Sequence, residues 1–178
     1  GERLKTFGGT ASGFESLKNM FMKVHKIVST KPERRVQLNP IDCLDIANII
    51  GENVVVGGVR RTAELDLMGV DDKESIEAKS NLYTQENGEW VVDQNIIHRQ
   101  MSNNSIYYLS KPEREMLHWQ IQQMRYSGEP AWVNGELGMK RRPNMNGVNP
   151  CGEILLDSKG LCNLTTINVM AFVVDGKL

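Results

Sequence analysis

Apolar residues recur at helical spacing near the start of the chain. Between positions 13 and 29 they fall three or four residues apart, so they share one face of a helix. This apolar set consists of Phe14, Leu17, Met20, Phe21, Val24, Ile27 and Val28. Ser12 and Glu15 have the spacing of a capping box, which is typical of a helix start. The pattern therefore predicts a helix over residues 13–29.

A second helix is predicted after a polar linker at 31–38. Asn39 and Pro40 suit the N-cap and the first helical position, and Gly51 suits a helix end. Cys43 shares a helix face with the apolar or small residues three, four and seven positions further along the chain. We therefore expect Cys43 to lie in the core.

The segment after this helix changes from helical to strand spacing. Residues 53–68 contain a β-branched run, then a Gly-Gly break with two arginines, then Ala63, Leu65 and Leu67 in alternation with polar residues. β-Branched runs and alternation with period two favour strands. This stretch therefore predicts a strand, a loop and a second strand.

Helices and strands continue to alternate through the middle of the chain. Residues 71–80 predict a short polar helix, and residues 103–109 predict a strand. A longer helix is expected over 111–126, with Ser110 and Glu113 in capping-box spacing at its start. This mixture of helices and strands predicts the α/β class.

The composition fits one compact globular unit. The 178 residues are 40% hydrophobic and 24% charged, which is enough to build a core. With 21 basic and 22 acidic residues, the chain lacks the positive surplus of a general nucleic-acid binder. No apolar run approaches the length of about 20 residues that crosses a bilayer, and Gly1 to Leu17 lack the pattern of a signal peptide. We expect a cytoplasmic protein that binds neither nucleic acid nor membrane.

The cysteine and histidine patterns predict no metal site. Three cysteines are an odd and sparse count, and no Cys-x-x-Cys pair is present. This disfavours both a secreted disulfide framework and a zinc site, and it favours reduced thiols. His25, His98 and His118 also lack the spacing of metal ligands.

The segment "VNPCGEILL", at 148–156, combines three chemically useful side chains. If this segment is extended, Asn149, Cys151 and Glu153 share one face, with successive members about 6.6 Å apart. They offer a hydrogen-bonding amide, a thiol able to act as nucleophile or radical carrier, and a carboxylate able to act as a base. One substrate could contact all three groups.

A plainer interpretation treats the same side chains as structural. Free cysteine is most often a small buried hydrophobe, and Glu153 would then face water. Against this, the proline and glycine beside Cys151 favour a shaped turn that presents the thiol. The "DSKG" turn at 157–160 could also bring Cys162 back beside Cys151, where the two thiols could react or be spectators.

Four motifs in this chain resemble those of ribonucleotide reductases. They are "NPCGEI" with a second cysteine eleven residues later, "GGTASG" at 8–13, "VVVGGVRRTAEL" at 54–65 and "MSNNSI" at 101–106. Their order resembles that of the adenosylcobalamin-dependent, monomeric ribonucleoside-triphosphate reductase branch. The resemblance spans nearly the whole chain, although Phe14 stands where close relatives carry proline.

The resemblance implies a radical mechanism. Cys151 matches the cysteine on which adenosylcobalamin generates a thiyl radical, and this sulfur abstracts the 3′ hydrogen of the ribose. Glu153 matches the carboxylate that takes the 3′-hydroxyl proton, and Asn149 matches the amide that binds the ribose. Cys162 matches one of two thiols that supply the reducing electrons and end as a disulfide.

Two of the motifs resemble regulatory loops. The motif at 8–13 matches part of an effector site, and the motif at 54–65 matches the specificity loop between the effector and the substrate base. The candidate residues are Gly9, Thr10, Ser12, Gly57, Gly58, Arg60 and Arg61. Glycine lets a nucleotide approach the backbone, and arginine pairs with phosphate or stacks on a base. A helix cap and solvated loop charges are the structural alternatives.

The resemblance also implies the wider architecture. Residues 1–178 match the central part of a ten-stranded α/β barrel with the radical cysteine on a finger loop, and residues 146–169 match the active-site segment. The implied partners are a ribonucleoside triphosphate, a deoxynucleoside triphosphate effector and a thioredoxin-like reductant. Most adenosylcobalamin contacts and the other reducing cysteine are expected outside these residues. We therefore expect an incomplete chain that is inactive by itself.

Two alternatives stay open on the sequence. One is the large chain of a reductase that uses a separate radical-generating subunit. The other is a non-catalytic fragment that binds deoxynucleotides or takes part in assembly. Replacing Cys151 separates an enzyme from a binding module, because only an enzyme would lose turnover.

Overall fold

The computed structural model describes residues 2–3, 13–30, 37–55, 63–163, 165–174 and 177. Its α-helices are α1 (Phe14–Ser29), α2 (Pro40–Val55), α3 (Lys73–Glu77), α4 (Arg114–Gln123) and α5 (Gly135–Arg141). Its strands are β1 (Glu64–Met68), β2 (Tyr83–Glu86), β3 (Glu89–Val92), β4 (Ser102–Tyr108), β5 (Ala131–Asn134), β6 (Met145–Val148) and β7 (Leu155–Asp157). Two short 3₁₀ helices span Ile97–Met101 and Val169–Phe172. The predicted α/β class is confirmed.

Helix α1 confirms the helix predicted over residues 13–29. Gly13 holds its N-cap position and makes no side-chain hydrogen bond to the helix. The capping role predicted for Ser12 falls on a residue outside the described ones. Lys23 Nζ lies 2.6 Å from Glu52 Oε2, so an ion pair joins α1 to α2.

Helix α2 begins at Pro40, as predicted from the Asn-Pro pair. Asn39 Oδ1 accepts a hydrogen bond from the Asp42 N–H at 2.8 Å, and Asp42 Oδ2 accepts one from the Asn39 N–H at 3.0 Å. This reciprocal pair satisfies N–H groups that have no partner at the start of a helix. The sequence therefore located this helix start correctly.

The predicted end of α2 at Gly51 is wrong, because the helix continues to Val55. The strand predicted to start at residue 53 is therefore helical at 53–55. A Cβ added to Gly51 would collide with the Glu64 carboxylate of β1. Glycine at this position allows the helix to approach the strand closely, and it does not stop the helix.

The prediction that Cys43 lies in the core is also wrong. Cys43 is exposed, because a different face of α2 is buried. The buried residues of that face are Leu44, Asn48, Ile49 and Gly51. Asn48 Oδ1 accepts a hydrogen bond from the Ser102 N–H at 2.9 Å. A hydrogen-bonded amide is tolerated in a core. A prediction made from apolar content alone therefore placed the wrong face of α2 in the core.

Helix α4 is shorter than the predicted 111–126 at both ends. Pro112 disfavours helical angles at Lys111, since the proline ring crowds the residue before it. Glu113 holds the N-cap position without a side-chain hydrogen bond to the helix. The capping box predicted from Ser110 and Glu113 is therefore wrong.

Strands β1, β4 and β5 form a parallel sheet with β4 in the middle. Alternation along β4 places Ser102, Asn104, Ile106 and Tyr108 on one face and Asn103, Ser105 and Tyr107 on the other. Ile106 and Tyr108 pack against Met68 of β1, Ile76 of α3 and Trp119 of α4. We call this face the helix-covered face. It contains the main apolar core of the described residues.

The opposite face of the sheet carries the hairpin of β6 and β7, and we call it the hairpin face. A Cβ added to Gly147 would lie 3.1 Å from Leu67 Cδ1 of β1. A Cβ added to Gly135 of α5 would collide with the Tyr107 ring. Missing side chains at these two glycines therefore let β6 and α5 lie close against the sheet.

An ion-pair cluster joins α2 to the 3₁₀ helix at Ile97–Met101. Arg99 donates from Nε and Nη2 to the two Asp45 carboxylate oxygens at 2.6 and 2.9 Å, and His98 Nε2 lies 3.0 Å from Asp45 Oδ1. Burial by itself raises the pKa of Asp45, but the hydrogen bonds from Arg99 and the close approach of His98 outweigh it and lower the pKa to about 2. Asp45 is therefore a carboxylate at neutral pH.

The described strands form three separate small sheets, one with three strands and two with two strands each. The ten-stranded barrel implied by the family resemblance stays a prediction. The strand-like run near the end of the chain contains the 3₁₀ helix Val169–Phe172. Among the described residues, no helix combines the length and the apolar content needed to span a membrane.

Candidate active site in the turn after β6

The segment around Cys151 is a tight turn, so the turn favoured by the flanking proline and glycine is confirmed and the extended arrangement considered beside it does not form. Strand β6 ends at Val148, and β7 begins at Leu155. The Gly152 N–H donates to the Asn149 carbonyl at 2.8 Å, and Gly152 has a φ of 85°. Proline fixes φ at the second position of this turn, and glycine is the residue that adopts positive φ without strain. The Pro-Cys-Gly sequence therefore presents the cysteine on a turn.

Asn149 is the centre of the candidate site. Its side chain is buried, with only 3% of the residue surface exposed. Asn149 Oδ1 accepts a hydrogen bond from the Ile154 N–H at 2.9 Å. This bond fixes the orientation of the amide, because the oxygen has to face the N–H donor. The NH₂ end consequently points to the opposite side.

The NH₂ group of Asn149 joins the other two polar members of the site. Nδ2 donates to Glu153 Oε1 at 2.7 Å and lies 3.6 Å from Cys162 Sγ, within hydrogen-bonding distance for sulfur. An amide, a carboxylate and a thiol thus converge, as predicted for Asn149 and Glu153. The turn brings them together, not the shared strand face on which the prediction rested.

Cys162 reaches this cluster through the predicted "DSKG" turn. The Gly160 N–H donates to the Asp157 carbonyl at 2.9 Å, and Lys159 has a φ of 61°. Arg142 Nε also donates to Asp157 Oδ1 at 2.7 Å, so the exposed end of the hairpin is bridged. This hydrogen bond raises the pKa of Arg142 and lowers that of Asp157. The prediction that the chain turns back at this point is confirmed.

Cys151 itself is exposed on the turn. The structural alternative is therefore wrong for Cys151, which it expected to be buried, whereas Glu153 is exposed as that alternative expected. A Cβ added to the neighbouring Gly152 would meet no atom within 4 Å, so the space beside the turn is open. The Cys151 thiol is therefore accessible to a large reactant.

Asn103 is a site residue that the sequence interpretation missed. It lies on the hairpin face of β4 and donates from Nδ2 to the Pro150 carbonyl at 2.7 Å. The sequence contained an indication of this role, because an asparagine is a poor strand former and stood inside the "MSNNSI" motif. That motif had been given no function.

Comparisons with known proteins relate this chain to one group of enzymes. In an alignment of 172 positions that covers 89% of the chain, it is 37% identical to an adenosylcobalamin-dependent ribonucleoside-triphosphate reductase of Levilactobacillus brevis. In an alignment of 187 positions, gaps included, that covers 99% of the chain, it is 32% identical to the enzyme of the same name from Lacticaseibacillus paracasei. A relative from Mycobacterium phage D29, named as a putative enzyme of this kind, is 31% identical over 98% of the chain.

The chain is homologous to a segment of the adenosylcobalamin-dependent ribonucleoside-triphosphate reductases. It spans between 21% and 27% of the length of these three reductases. No protein-family model matches the chain, and no solved structure does either. The resemblance drawn from the sequence motifs is therefore confirmed, at the level of the reductase family.

The names of these relatives imply an adenosylcobalamin, a bulky group that has to approach the residue on which it acts. An exposed Cys151 thiol beside open space suits the approach of a bulky reactant, so the residues present fit this chemistry. Within the described ranges, no group of three or more His, Cys, Asp or Glu side chains could hold a metal ion. A cobalt ion held by the corrin ring of its own cofactor does not require such a group.

The predicted regulatory residues of the reductase resemblance fall outside the described residues. They are Gly9, Thr10, Ser12, Gly57, Gly58, Arg60 and Arg61. Of the motif at 54–65, the structure describes the end of α2 and the start of β1. The effector and specificity roles stay predictions.

Proposed function

We propose that the complete protein reduces ribonucleoside triphosphates to 2′-deoxyribonucleotides, and that this chain supplies its active-site segment. The homologues that carry this name support the reaction class. The observation that carries the assignment of the site is the Asn149 amide, which links Glu153 to Cys162 beside the exposed Cys151. Homologue names also favour the cobalamin-dependent branch over a reductase with a separate radical subunit.

Cys151 is the proposed radical residue. When bound, adenosylcobalamin supplies the radical that removes the hydrogen atom from the Cys151 thiol. The sulfur then takes the 3′ hydrogen atom of the ribose and returns a hydrogen atom to that carbon after reduction. An exposed sulfur on a turn suits this role, because it has to meet two different reactants in succession.

Glu153 and Asn149 are proposed to act on the ribose hydroxyl groups. Glu153 accepts the proton of the 3′-hydroxyl while the 2′-hydroxyl leaves as water. Asn149 donates a hydrogen bond to the ribose and keeps Glu153 in place, since its amide already holds that carboxylate at 2.7 Å. Both groups therefore work on the same edge of the sugar.

Cys162 is proposed to supply half of the reducing power. Two thiols give two electrons and two protons, the 2′-hydroxyl leaves as water, and the thiols become a disulfide. The second thiol is expected outside this chain, on a cysteine that the reductase resemblance implies. A thioredoxin-like dithiol then reduces the disulfide again. Cys162 is half-buried and lies beside the Asn149 amide, where a substrate held by that amide would be within reach.

The two regulatory motifs are proposed to sense a deoxynucleoside triphosphate. Residues 8–13 form part of the effector site, and residues 54–65 relay its identity to the substrate base. Arg60 and Arg61 supply the positive charge and planar groups that a nucleotide needs. Together with 146–169 as the active-site segment, these motifs make 1–178 the central part of the catalytic barrel.

Replacing Cys151 by serine in the complete protein tests this function. Deoxynucleotide formation in the presence of adenosylcobalamin, effector and dithiol is expected to fall by at least about a thousandfold. The reason is that the serine hydroxyl cannot replace the thiol as the carrier of the radical. Effector binding, measured by equilibrium dialysis, is expected to be unchanged. The matched control is Cys43→Ser, an exposed cysteine on α2, which is expected to keep full turnover. Turnover by Cys151→Ser would refute the assignment.

A further inference from the structure

Asn103 makes the hydrogen bond that ties the Cys151 turn to the sheet. Its Nδ2 donates to the Pro150 carbonyl at 2.7 Å, across a sequence separation of 47 residues. The other hydrogen bonds of this turn run within the hairpin: the Gly152 N–H to the Asn149 carbonyl, and the Asn149 N–H to the Ile154 carbonyl at 3.1 Å. Among the described residues, Asn103 is the side chain from the sheet that holds the main chain of the turn.

The position of this bond matters for the cysteine. The Pro150 carbonyl belongs to the same planar peptide unit as the Cys151 nitrogen. Holding the carbonyl therefore fixes the orientation of the peptide unit on the N-terminal side of the Cys151 Cα. Pro150 has no N–H, so its carbonyl is the main-chain hydrogen-bonding group through which a side chain can hold this residue.

Among the described residues, the bond to the Pro150 carbonyl is the hydrogen bond that the Asn103 side chain makes. Asn103 is exposed, whereas Ser102 and Asn104 beside it are buried. Its register partner on β1 is Leu65. Asparagine is disfavoured in strands, so its presence on the hairpin face is not explained by strand stability.

We propose that Asn103 is a positioning residue that orients the Cys151 thiol through the Pro150–Cys151 peptide. This inference rests on the proposed function for its catalytic meaning. Asn103 does not touch the substrate in this scheme. Its loss lets the turn sample directions in which the sulfur no longer faces both of its reaction partners, and this lowers the rate of the chemical step without changing nucleotide affinity.

The test uses two variants of the complete protein. Asn103→Ala removes the donor, and Asn103→Asp keeps the size but sets a carboxylate against the carbonyl oxygen. Amide hydrogen exchange at Gly152, whose N–H closes the turn, is expected to accelerate about two- to tenfold in Asn103→Ala, as the loss of one hydrogen bond allows. The acceleration in Asn103→Asp is expected to be larger. The apparent unfolding temperature is expected to stay constant.

Steady-state kinetics give the second readout. In both variants kcat is expected to fall by about two- to tenfold or more, with Asn103→Asp the slower, while KM for the nucleotide stays unchanged. A residue that served stability alone would not produce this split. Asn81→Ala, at an exposed asparagine in the turn after α3, is the matched control and is expected to leave both readouts unchanged.

Each result decides the inference. Unchanged Gly152 exchange in both Asn103 variants overturns it, and so does faster exchange with an unchanged kcat. A rise in KM equal to the fall in kcat/KM also overturns it, because Asn103 would then bind substrate. If the unmutated protein forms no deoxynucleotide, the proposed function fails by itself, and Gly152 exchange alone then decides whether Asn103 anchors the turn.

Discussion

The two faces of the parallel sheet support different parts of the molecule. The helix-covered face carries the main apolar core, with Ile106 fully buried against Met68 and Ile76. On the hairpin face, a directed hydrogen bond from Asn103 to the Pro150 carbonyl holds the turn. Apolar burial depends on volume and is tolerant of direction, whereas a hydrogen bond depends on direction.

This difference indicates how stability and chemistry are separated in the chain. Removing volume from the helix-covered face should lower the free energy of unfolding. Changing a donor or an acceptor on the hairpin face should alter reactive geometry and leave the fold largely in place. The same central strand, β4, serves both faces through alternate residues.

The largest effect is expected from Ile106→Ala on the helix-covered face. Truncating a fully buried isoleucine loses buried apolar surface and leaves a cavity, so the free energy of unfolding is expected to drop by about 2–5 kcal/mol. Urea unfolding of the complete protein measures this loss. Val91→Ala, at an exposed valine of β3, is the control and should cost less than about 0.5 kcal/mol. Equal losses in the two variants would mean that Ile106 is not a core residue.

The next effect is expected from Asn149→Asp on the hairpin side. This change keeps the side-chain size but removes both N–H donors and sets a second carboxylate against Glu153. Turnover is expected to fall by about a hundredfold, which is the usual cost of losing one positioned donor in an active site. Asn146→Asp, at an exposed asparagine of β6, is the control and should retain turnover. Comparable activity in both variants would remove Asn149 from the site.

The smallest effect is expected from the ion-pair cluster, which belongs to neither face. The pKa of Asp45 is about 2 in the folded chain, below its ordinary value of 3.8. A lowered folded-state pKa stabilises the fold above about pH 4, and this contribution is lost as the pH falls from about 4 to 2. Asp45→Asn is expected to remove about 1 kcal/mol of this acid dependence, a value reduced for partial solvent exposure.

Urea unfolding at pH 6 and at pH 3 measures this effect. The difference between the two pH values should shrink in Asp45→Asn but stay the same in Asp71→Asn, where the aspartate is exposed. An unchanged pH dependence in Asp45→Asn would contradict the assignment of the low pKa to this carboxylate.

Local chemistry explains which parts of the fold could be predicted. The helical spacing of α1 and the Asn-Pro start of α2 act within one turn of chain, and both predictions were right. The predictions for Gly51 and Cys43 were wrong for two reasons. Gly51 lies against Glu64 of β1, a contact between two elements that the sequence does not show. Cys43 is exposed because the buried face of α2 contains Asn48, a polar residue whose amide is paired. Contacts between elements determine the burial of these residues, and the spacing of apolar residues along the chain does not predict such contacts.

The candidate site shows the same division. The residue types of Asn149, Cys151 and Glu153 predicted a convergent set, and Asn149 does bind Glu153. The segment is not extended, because Pro150 and Gly152 impose the turn that their presence beside Cys151 favoured. The partner of Asn103 could not be derived, since it lies 47 residues away. Residue chemistry was therefore easier to predict than the path of the chain.

The two N–H bonds of Asn149 have a consequence for how a ligand would enter. Both donors are engaged before any sugar arrives, one by Glu153 and one by the sulfur of Cys162. Under the proposed function, a ribose hydroxyl has to displace one of these partners, so binding is an exchange of hydrogen bonds that adds little to affinity. The nucleotide would then be retained by contacts to its base and phosphates. The hydrogen bonds of Asn149 would be exchanged only when the sugar is correctly placed.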